Sequence, residues 1–262
     1  MKLTLTALSP IAHGAFEDGI GKGNVVEFRK VKVVKDGKIY DVPSISGNAV
    51  RGIIRRNLAR EFFEKNNLRE TLTAKENDLL YSMIGNGGAL GKNLEVAVDC
   101  EYQRELRKQL PLLSLLGSAC YTFMLNGICN IDFFKVKCSE LGTGSQRIYD
   151  LLSDVSEARL PDKNIINTDE LGIKPMPYST ETVIEGAEFE GNITLAPMAT
   201  DIEKSCLAHG IKSINKVGGR IARGYGSVSV SCDEKLDDSL YIENITNIDI
   251  DFIKDFLKRI SK

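Results

Sequence analysis

Residues 2 to 8, KLTLTAL, place Leu3, Leu5 and Ala7 at alternate positions between Lys2, Thr4 and Thr6. Because successive side chains of a strand point to opposite faces, this pattern predicts a strand with one buried face. Further along come, in order, a hairpin at Asp36-Gly37, a helix near 46–65, strands at 127–138 and 183–195, a helix near 200–215, a strand after 226 and a C-terminal helix. This order predicts an α+β fold of ferredoxin-like type and not a doubly wound parallel sheet.

A glycine-rich stretch, GGRIARGYGSVSV, covers residues 218–230. Its first nine residues hold four glycines and two arginines. Glycine permits positive φ and the close approach of a partner, while a guanidinium is a forked donor suited to phosphate. With Lys216, Arg220 and Arg223, the stretch predicts a phosphate-binding loop, unless it is a plain glycine turn with solvated arginines.

A second basic element, SGNAVRGIIRR, opens the helix near residue 46. Ser46 or Asn48 can cap this helix, and the free N–H groups of a helix start favour an anion. Arg51 and Arg55 follow one turn apart on the same flank. Alone this could be a cap beside a solvated face. Together with the glycine-rich stretch it favours a groove that holds the phosphates of single-stranded nucleic acid without reading its sequence.

Several function classes are disfavoured by composition. There are two histidines, no paired-histidine motif, no C-x-x-C pair and no G-x-x-x-x-G-K-[ST] loop, so no metal, cofactor or nucleotide hydrolysis is expected. The six cysteines are interpreted as buried thiols of a reducing cytosol. The N-terminus lacks the apolar core of a signal peptide, and no apolar run reaches about 18 residues, so we expect a cytoplasmic protein without membrane contact.

The sequence resembles the CRISPR-associated RAMP superfamily in four segments. GGRIARGYGSVSV is similar to its G-G-[KR]-x-x-[RS]-G-[FY]-G-x-V loop, and VPSISGNAVRGIIR resembles its I-P-G-S-S-L-K-G-x-L-R stretch, with Ser46 in place of the proline. LLSLLGSACYTFMLNGICNIDFFKV resembles its L-F-G element and the strand that ends near an aspartate, here Asp132. ETVIEGAEFEGNITL resembles the strand pair before the glycine-rich half. The order and spacing also match, and within the superfamily the chain is most similar to the backbone subunits of the seventh Cas family.

The resemblance implies a single domain over 1–262, with an RRM-like palm, a helical finger insertion at about 60–95 and a thumb-like hairpin insertion at about 155–182. It implies a guide RNA as ligand, and as partners a target nucleic acid held by base pairing, further copies of the chain in a helical filament, and other Cas subunits. The residues that would contact RNA are Lys22, Ser46, Gly47, Asn48, Arg51, Arg55, Lys216, Gly218, Gly219, Arg220, Arg223 and Gly224.

One departure from the family bears on catalysis. Backbone subunits that cut target RNA carry an aspartate just before a V-V pair, whereas Val25-Val26 follow GIGKGN, with Lys22 and Asn24. We therefore expect a non-catalytic subunit. The alternatives are cleavage of target RNA through Asp18, processing of precursor RNA through His13, or a structural protein whose arginines serve subunit contacts.

Overall fold

The computed structural model describes residues 1–14, 25–91, 99–157 and 178–260. The strands are β1 (Lys2–Ala7), β2 (Val25–Val26), β3 (Lys30–Lys35), β4 (Lys38–Ile45), β5 (Gly88–Leu90), β6 (Ser118–Tyr121), β7 (Phe123–Leu125), β8 (Cys129–Ile131), β9 (Phe134–Val136), β10 (Leu152–Glu157), β11 (Tyr178–Val183), β12 (Glu188–Leu195) and β13 (Val228–Cys232). The helices are α1 (Gly47–Lys65), α2 (Leu68–Thr71), α3 (Ala74–Asn86), α4 (Cys100–Gln109), α5 (Pro111–Leu116), α6 (Ile148–Leu151), α7 (Asp201–Lys212), α8 (Ser239–Thr246) and α9 (Ile250–Ile260), with a 3₁₀ turn at Ile221–Arg223.

The central sheet has the order β13–β1–β12–β9–β4–β3, and β8 pairs with β12 next to β9. All of these pairs are antiparallel. When β8 and β9 are counted as one interrupted strand, the chain runs β1, α1, β8/β9, β12, α7, β13. In the sheet, β13 lies beside β1, β1 beside β12, and β12 beside β8/β9. This is the ferredoxin-like βαββαβ arrangement, and it confirms the predicted α+β class.

Helices α1 and α7 cover one face of the central sheet. Leu3 and Leu5 of β1 are fully buried on that face, as are Val50 and Ile54 of α1. The two helices pack so closely that a Cβ on Gly210 of α7 would lie 2.6 Å from the Ile54 side chain. The opposite face of the sheet is polar, in agreement with the alternation of the sequence.

The segment between α1 and β8 is mainly helical, as predicted, and comprises α2 to α5 with a small sheet of β5, β6 and β7. Helix α3 packs against α1, and α5 packs against α7. The helical elements continue as far as Leu116, whereas the bounds of 60–95 for a finger remain a prediction. None of the helices in the described ranges has the length and apolar character needed to span a membrane.

The glycines of residues 85–91, GNGGALG, predict a mobile loop from the sequence, and this prediction was wrong. Helix α3 extends to Asn86, and residues 88–90 form β5, which pairs in parallel with β6. Gly88 has φ of 70°, and a Cβ there would lie 1.9 Å from the Ala119 carbonyl oxygen. The glycine therefore permits close backbone pairing between two strands, which a single-sequence pattern does not show.

Strands β10 and β11 pair in an antiparallel manner, and β2 adds to β11 in parallel. These strands flank the predicted thumb at 155–182, whose residues 158–177 lie outside the described residues. The thumb itself therefore remains a prediction.

Four of the six cysteines are buried, as expected from the sequence, whereas Cys100 is exposed and Cys232 is half-buried, so the expectation was wrong for these two. Cys120, Cys129, Cys138 and Cys206 are all free thiols. Burial raises the pKa of Cys120 and of Cys129 to about 11, so both remain protonated at neutral pH.

A buried carboxylate attaches the helical segment to α7. Glu203 is fully buried and receives two hydrogen bonds from Arg107, at 2.9 and 2.7 Å to Nε and Nη2, and one from Ser114 Oγ at 2.5 Å. It also forms a capping box with Thr200 at the start of α7. Burial alone would raise the pKa of Glu203, but the hydrogen bonds from Arg107, Ser114 and Thr200 outweigh it and lower the pKa.

We expect Glu203→Gln to reduce the free energy of unfolding at pH 7 by about 2–4 kcal/mol, because it breaks a buried ion pair. The lowered pKa means that this contribution is present above the unfolded-state pKa of about 4.3 and is lost as the pH falls through the folded-state pKa. Thermal unfolding followed by circular dichroism from pH 7 to about pH 2 should show the wild type and the variant differing down to about pH 4 and converging below it.

The matched control is Asp201→Asn, since Asp201 lies on the same turn and pairs with Lys204 at the surface. An exposed pair contributes little to stability. Equal losses of stability in the two variants would show that Glu203 does not hold the two segments together.

Candidate nucleic-acid interface

The glycine-rich loop between α7 and β13 is held by backbone hydrogen bonds to the segment after β1. Gly219 N–H donates to the Ala12 carbonyl at 2.7 Å, and Gly226 N–H donates to the Pro10 carbonyl at 2.9 Å. Val217 N–H closes the base of the loop on the Gly226 carbonyl at 2.8 Å. The loop is thus fixed at its base, while the turn from 221 to 224 is exposed.

The glycines of this loop have different structural roles. A Cβ on Gly226 would lie 2.1 Å from the Val217 carbonyl oxygen, and one on Gly218 would lie 2.4 Å from the Ala12 carbonyl oxygen. Gly219 is exposed, its φ is outside the left-handed range, and a Cβ would approach nothing closer than 3.8 Å. The fold requires glycine at 218 and 226 but leaves room for a side chain at 219.

The second predicted element, the start of α1, is capped by Ser46, whose Oγ accepts the Ala49 N–H at 3.2 Å. Gly47 is buried, and a Cβ there would lie 2.0 Å from the Ile131 carbonyl oxygen. Gly47 therefore seats the helix start against β8, and Asn48 is the exposed residue of this turn.

Residues 11–14 connect the two predicted elements. The Ala12 carbonyl accepts Gly219 N–H on one side, and on the other side His13 Nε2 accepts Ser46 N–H at 3.3 Å. The glycine-rich loop and the start of α1, about 170 residues apart in the chain, are therefore brought to the two sides of one short segment. This joins the two elements that the sequence singled out.

Arg51 and Arg55 point into the protein. Arg55 is 8% exposed and donates to the carbonyls of Leu116 at 2.9 Å and Gly117 at 2.7 Å. Arg51 donates to the carbonyls of Leu116 at 3.2 Å and Cys129 at 2.6 Å. Both guanidinium groups bind carbonyls at the end of α5, and Arg51 also binds the carbonyl of the first residue of β8, so we leave them out of the candidate interface.

Arg29 is a basic residue at this interface that sequence reasoning missed. Its N–H donates to the His13 carbonyl at 2.7 Å, and its Nε is buried with no hydrogen-bond partner in the described part of the chain. The nearby carboxylate of Glu181 is already bound by Phe28 N–H at 2.8 Å and by Lys30 Nζ at 2.9 Å. The sequence gives no signal for a single arginine before a strand, because only the pairing of Arg29 with His13 brings it to this interface.

The other predicted residues of the loop lie on or beside the exposed turn. Lys216 is half-buried and bridges to Ser227. Arg220 has φ of 57° at the start of the turn, and Arg223 and Gly224 are exposed at its end. Lys22 lies outside the described residues, as does Asp18 of the cleavage alternative.

The histidines have structural surroundings. Burial, and then the charge of Arg29, lower the pKa of His13, so it is neutral at pH 7, and its Nε2 accepts a backbone N–H. His209 contacts Glu61 Oε2 at 2.6 Å and Asp238 Oδ2 at 2.9 Å through its two ring nitrogens. In the described part of the chain, no group of three histidine, cysteine or acidic residues is arranged to hold a metal.

No family model matches the sequence, and no curated protein matches it. Among solved structures, a chain of "Type IV-B CRISPR Complex" is similar with a TM-score of 0.56 and 19% identity, covering 91% of this chain and 96% of that one. The crystal structure of Csc2 from Thermofilum pendens has a TM-score of 0.45 and 16% identity, covering 99% and 75%. The first likeness shows that this chain shares the fold of that subunit.

We expect Gly226→Ala to destabilise the protein and Gly219→Ala to leave its melting temperature unchanged. At 226 a Cβ would collide with backbone and φ is 82°, whereas at 219 neither constraint applies. A cost of about 1–3 kcal/mol at 226 is the usual size for forced backbone strain. Thermal unfolding of the two variants checks this, and equal melting temperatures would contradict the division of roles.

Proposed function

We propose that this chain is a non-catalytic backbone subunit of a CRISPR effector complex, which binds the guide RNA and assembles in several copies along it. The observation that carries the proposal is that the glycine-rich loop and the start of α1 meet across residues 11–14. The fold shared with a chain of a Type IV-B CRISPR complex supports the same class of function. The target nucleic acid would be held by pairing with the guide, and other Cas subunits would complete the complex in the cytoplasm.

Phosphates of the guide would lie along the loop and the helix start. Arg220 and Arg223 supply charge on one side, and the exposed start of α1 at Asn48 lies on the other. Arg29 lies between them, beside His13, and adds a positive charge. Gly219 leaves space in which an RNA backbone can approach the loop. Such contacts hold phosphates without reading bases.

We expect Arg220→Asn with Arg223→Ala to weaken binding of single-stranded RNA about equally for all sequences. Asn is chosen at 220 because it tolerates the left-handed backbone there. The slope of log affinity against log salt should flatten by roughly 0.7 for each phosphate that is no longer bound. Arg29→Ala should release about one phosphate, and Gly219→Val should weaken binding at an unchanged salt slope. Fluorescence anisotropy over a salt series compares the three variants with the wild type.

Arg56→Ala with Arg60→Ala is the matched control, because both arginines are exposed on α1 but lie on its other flank. This variant should bind RNA like the wild type. Equal losses of affinity in the control and in the loop variant would reduce the effect to net charge and would contradict the proposed interface.

The assembly and the absence of cleavage can be examined in one experiment. The protein is mixed with a guide-length RNA and a labelled complementary RNA. Because each copy would hold only a short stretch of guide, we expect sedimentation of several copies per guide, joined head to tail, and an intact complementary strand. A protein that stays monomeric on the guide would contradict the backbone-subunit proposal.

The runner-up function is cleavage of target RNA. It would require Asp18, since the positions just before Val25-Val26 offer Lys22 and Asn24. Regularly spaced products that disappear in Asp18→Ala would establish it in place of the non-catalytic role. Processing through His13 is disfavoured because its Nε2 is engaged with Ser46 N–H. Products that disappear in His13→Ala but persist in Asp18→Ala would assign the reaction to that residue.

A further inference from the structure

A groove on the polar face of the central sheet is separate from the glycine-rich loop. Its floor is formed by β9 and β12, and one wall by Leu141 and Thr143 of the loop after β9. Its volume is about 720 Å³, which lies in the range of small-ligand sites. At one end it reaches Ile131 and Asp132, whose carbonyls lie against Gly47 at the start of α1.

The charges in this groove leave one lysine without a carboxylate. Glu190 pairs with Lys2 at 2.8 Å and approaches Lys137 at 3.9 Å, and Lys137 pairs with Glu188 at 2.9 Å. Lys135 is the strand neighbour of Glu190 in the sheet, yet it is exposed and forms no ion pair in the described part of the chain. Its ammonium group remains available for an anion.

An aromatic ring and polar groups line the same groove. Phe133 is 41% exposed, and no other phenylalanine in the described ranges is exposed. Phe133 directly precedes β9, and both Phe133 and Lys135 are exposed and line the groove. Asp132 accepts from Asn192 Nδ2 at 3.5 Å, so an amide and a carboxylate stand beside the ring.

We propose that this groove binds an unpaired base of a single-stranded nucleic acid, with the base stacked on Phe133 and an adjacent phosphate held by Lys135. Stacking on an aromatic ring tolerates any base and recurs in single-strand binding proteins. The amide of Asn192 and the carboxylate of Asp132 offer donors and acceptors to the base edge. This inference goes beyond the proposed function, because it adds a second nucleic-acid site to the same subunit.

The test uses the full chain carrying Arg220→Asn and Arg223→Ala, so that binding at the glycine-rich loop is weakened and the groove is read separately. The probes are a short single-stranded RNA and the DNA of the same sequence, each with a photo-crosslinkable pyrimidine. We expect crosslinks in the peptide around Phe133, and the two probes show whether the groove takes RNA, DNA or both. In anisotropy measurements Phe133→Ala should lower affinity about tenfold, and Lys135→Ala should flatten the salt slope by roughly 0.7.

Two controls match the surface that is removed. Tyr81→Ala removes an aromatic ring of nearly equal exposure, 42%, on α3, and Lys75→Ala removes an exposed lysine from the same helix. Neither should change binding. Circular dichroism should show that Phe133→Ala is folded, because the ring is exposed. Lys135→Ala tests the groove independently of that variant.

Three outcomes would overturn the proposal, and none of them bears on the loop. The first is crosslinking that never reaches the peptide around Phe133. The second is unchanged binding in both groove variants. The third is a protein occupant, seen as crosslinks between copies of the chain at this groove that nucleic acid does not displace. If instead RNA does not bind at the glycine-rich loop but crosslinks at the groove persist, the proposed function is wrong and the proposal for the groove is still supported.

Discussion

The position of the glycine-rich loop depends on backbone pairing between residues 8–12 and 217–227. Leu8 N–H donates to the Ser227 carbonyl at 2.8 Å, immediately after β1 and before β13. Because β1 lies between β12 and β13, this pairing forms only when the two ends of the chain have entered one sheet. The candidate interface is therefore a consequence of the ferredoxin-like strand order. At Gly226 the loop backbone passes so close to the Val217 carbonyl that a Cβ would not fit.

The elements that the sequence predicts correctly are those with one buried face. Strand β1 and helix α9 each carry a strict apolar pattern, and Leu5 and Phe256 are indeed fully buried. The segment at 85–91 was misread because β5 exists only through its parallel pairing with β6, far along the chain. Glycine there serves strand contact and not mobility, and a local pattern cannot separate the two.

The candidate interface was predictable in outline but not in each residue. Two elements were found from their glycines and helix start, and residues 11–14 join them. Which arginines face outward depends on tertiary partners. The carbonyls at the end of α5 bind Arg55, while Glu181 accepts hydrogen bonds from Phe28 N–H and Lys30, and Arg29 forms no ion pair within the described residues. Helical spacing places Arg55 on one flank of α1 but gives no information about those carbonyls. The burial of Arg55 could therefore not be predicted from the sequence.

Charge is unevenly distributed over this protein, so the net charge of −2 is the sum of an acidic surface and a basic surface. The segment after β13 exposes Asp233, Glu234 and Asp237, and α8 adds Glu243. A polyanion would be repelled there and attracted to the loop at 220–223, at the other end of β13. Since such repulsion is screened beyond about 8–10 Å at physiological salt, this asymmetry would act only on a strand that is already close to the surface. The near-neutral total is therefore compatible with a localised nucleic-acid surface.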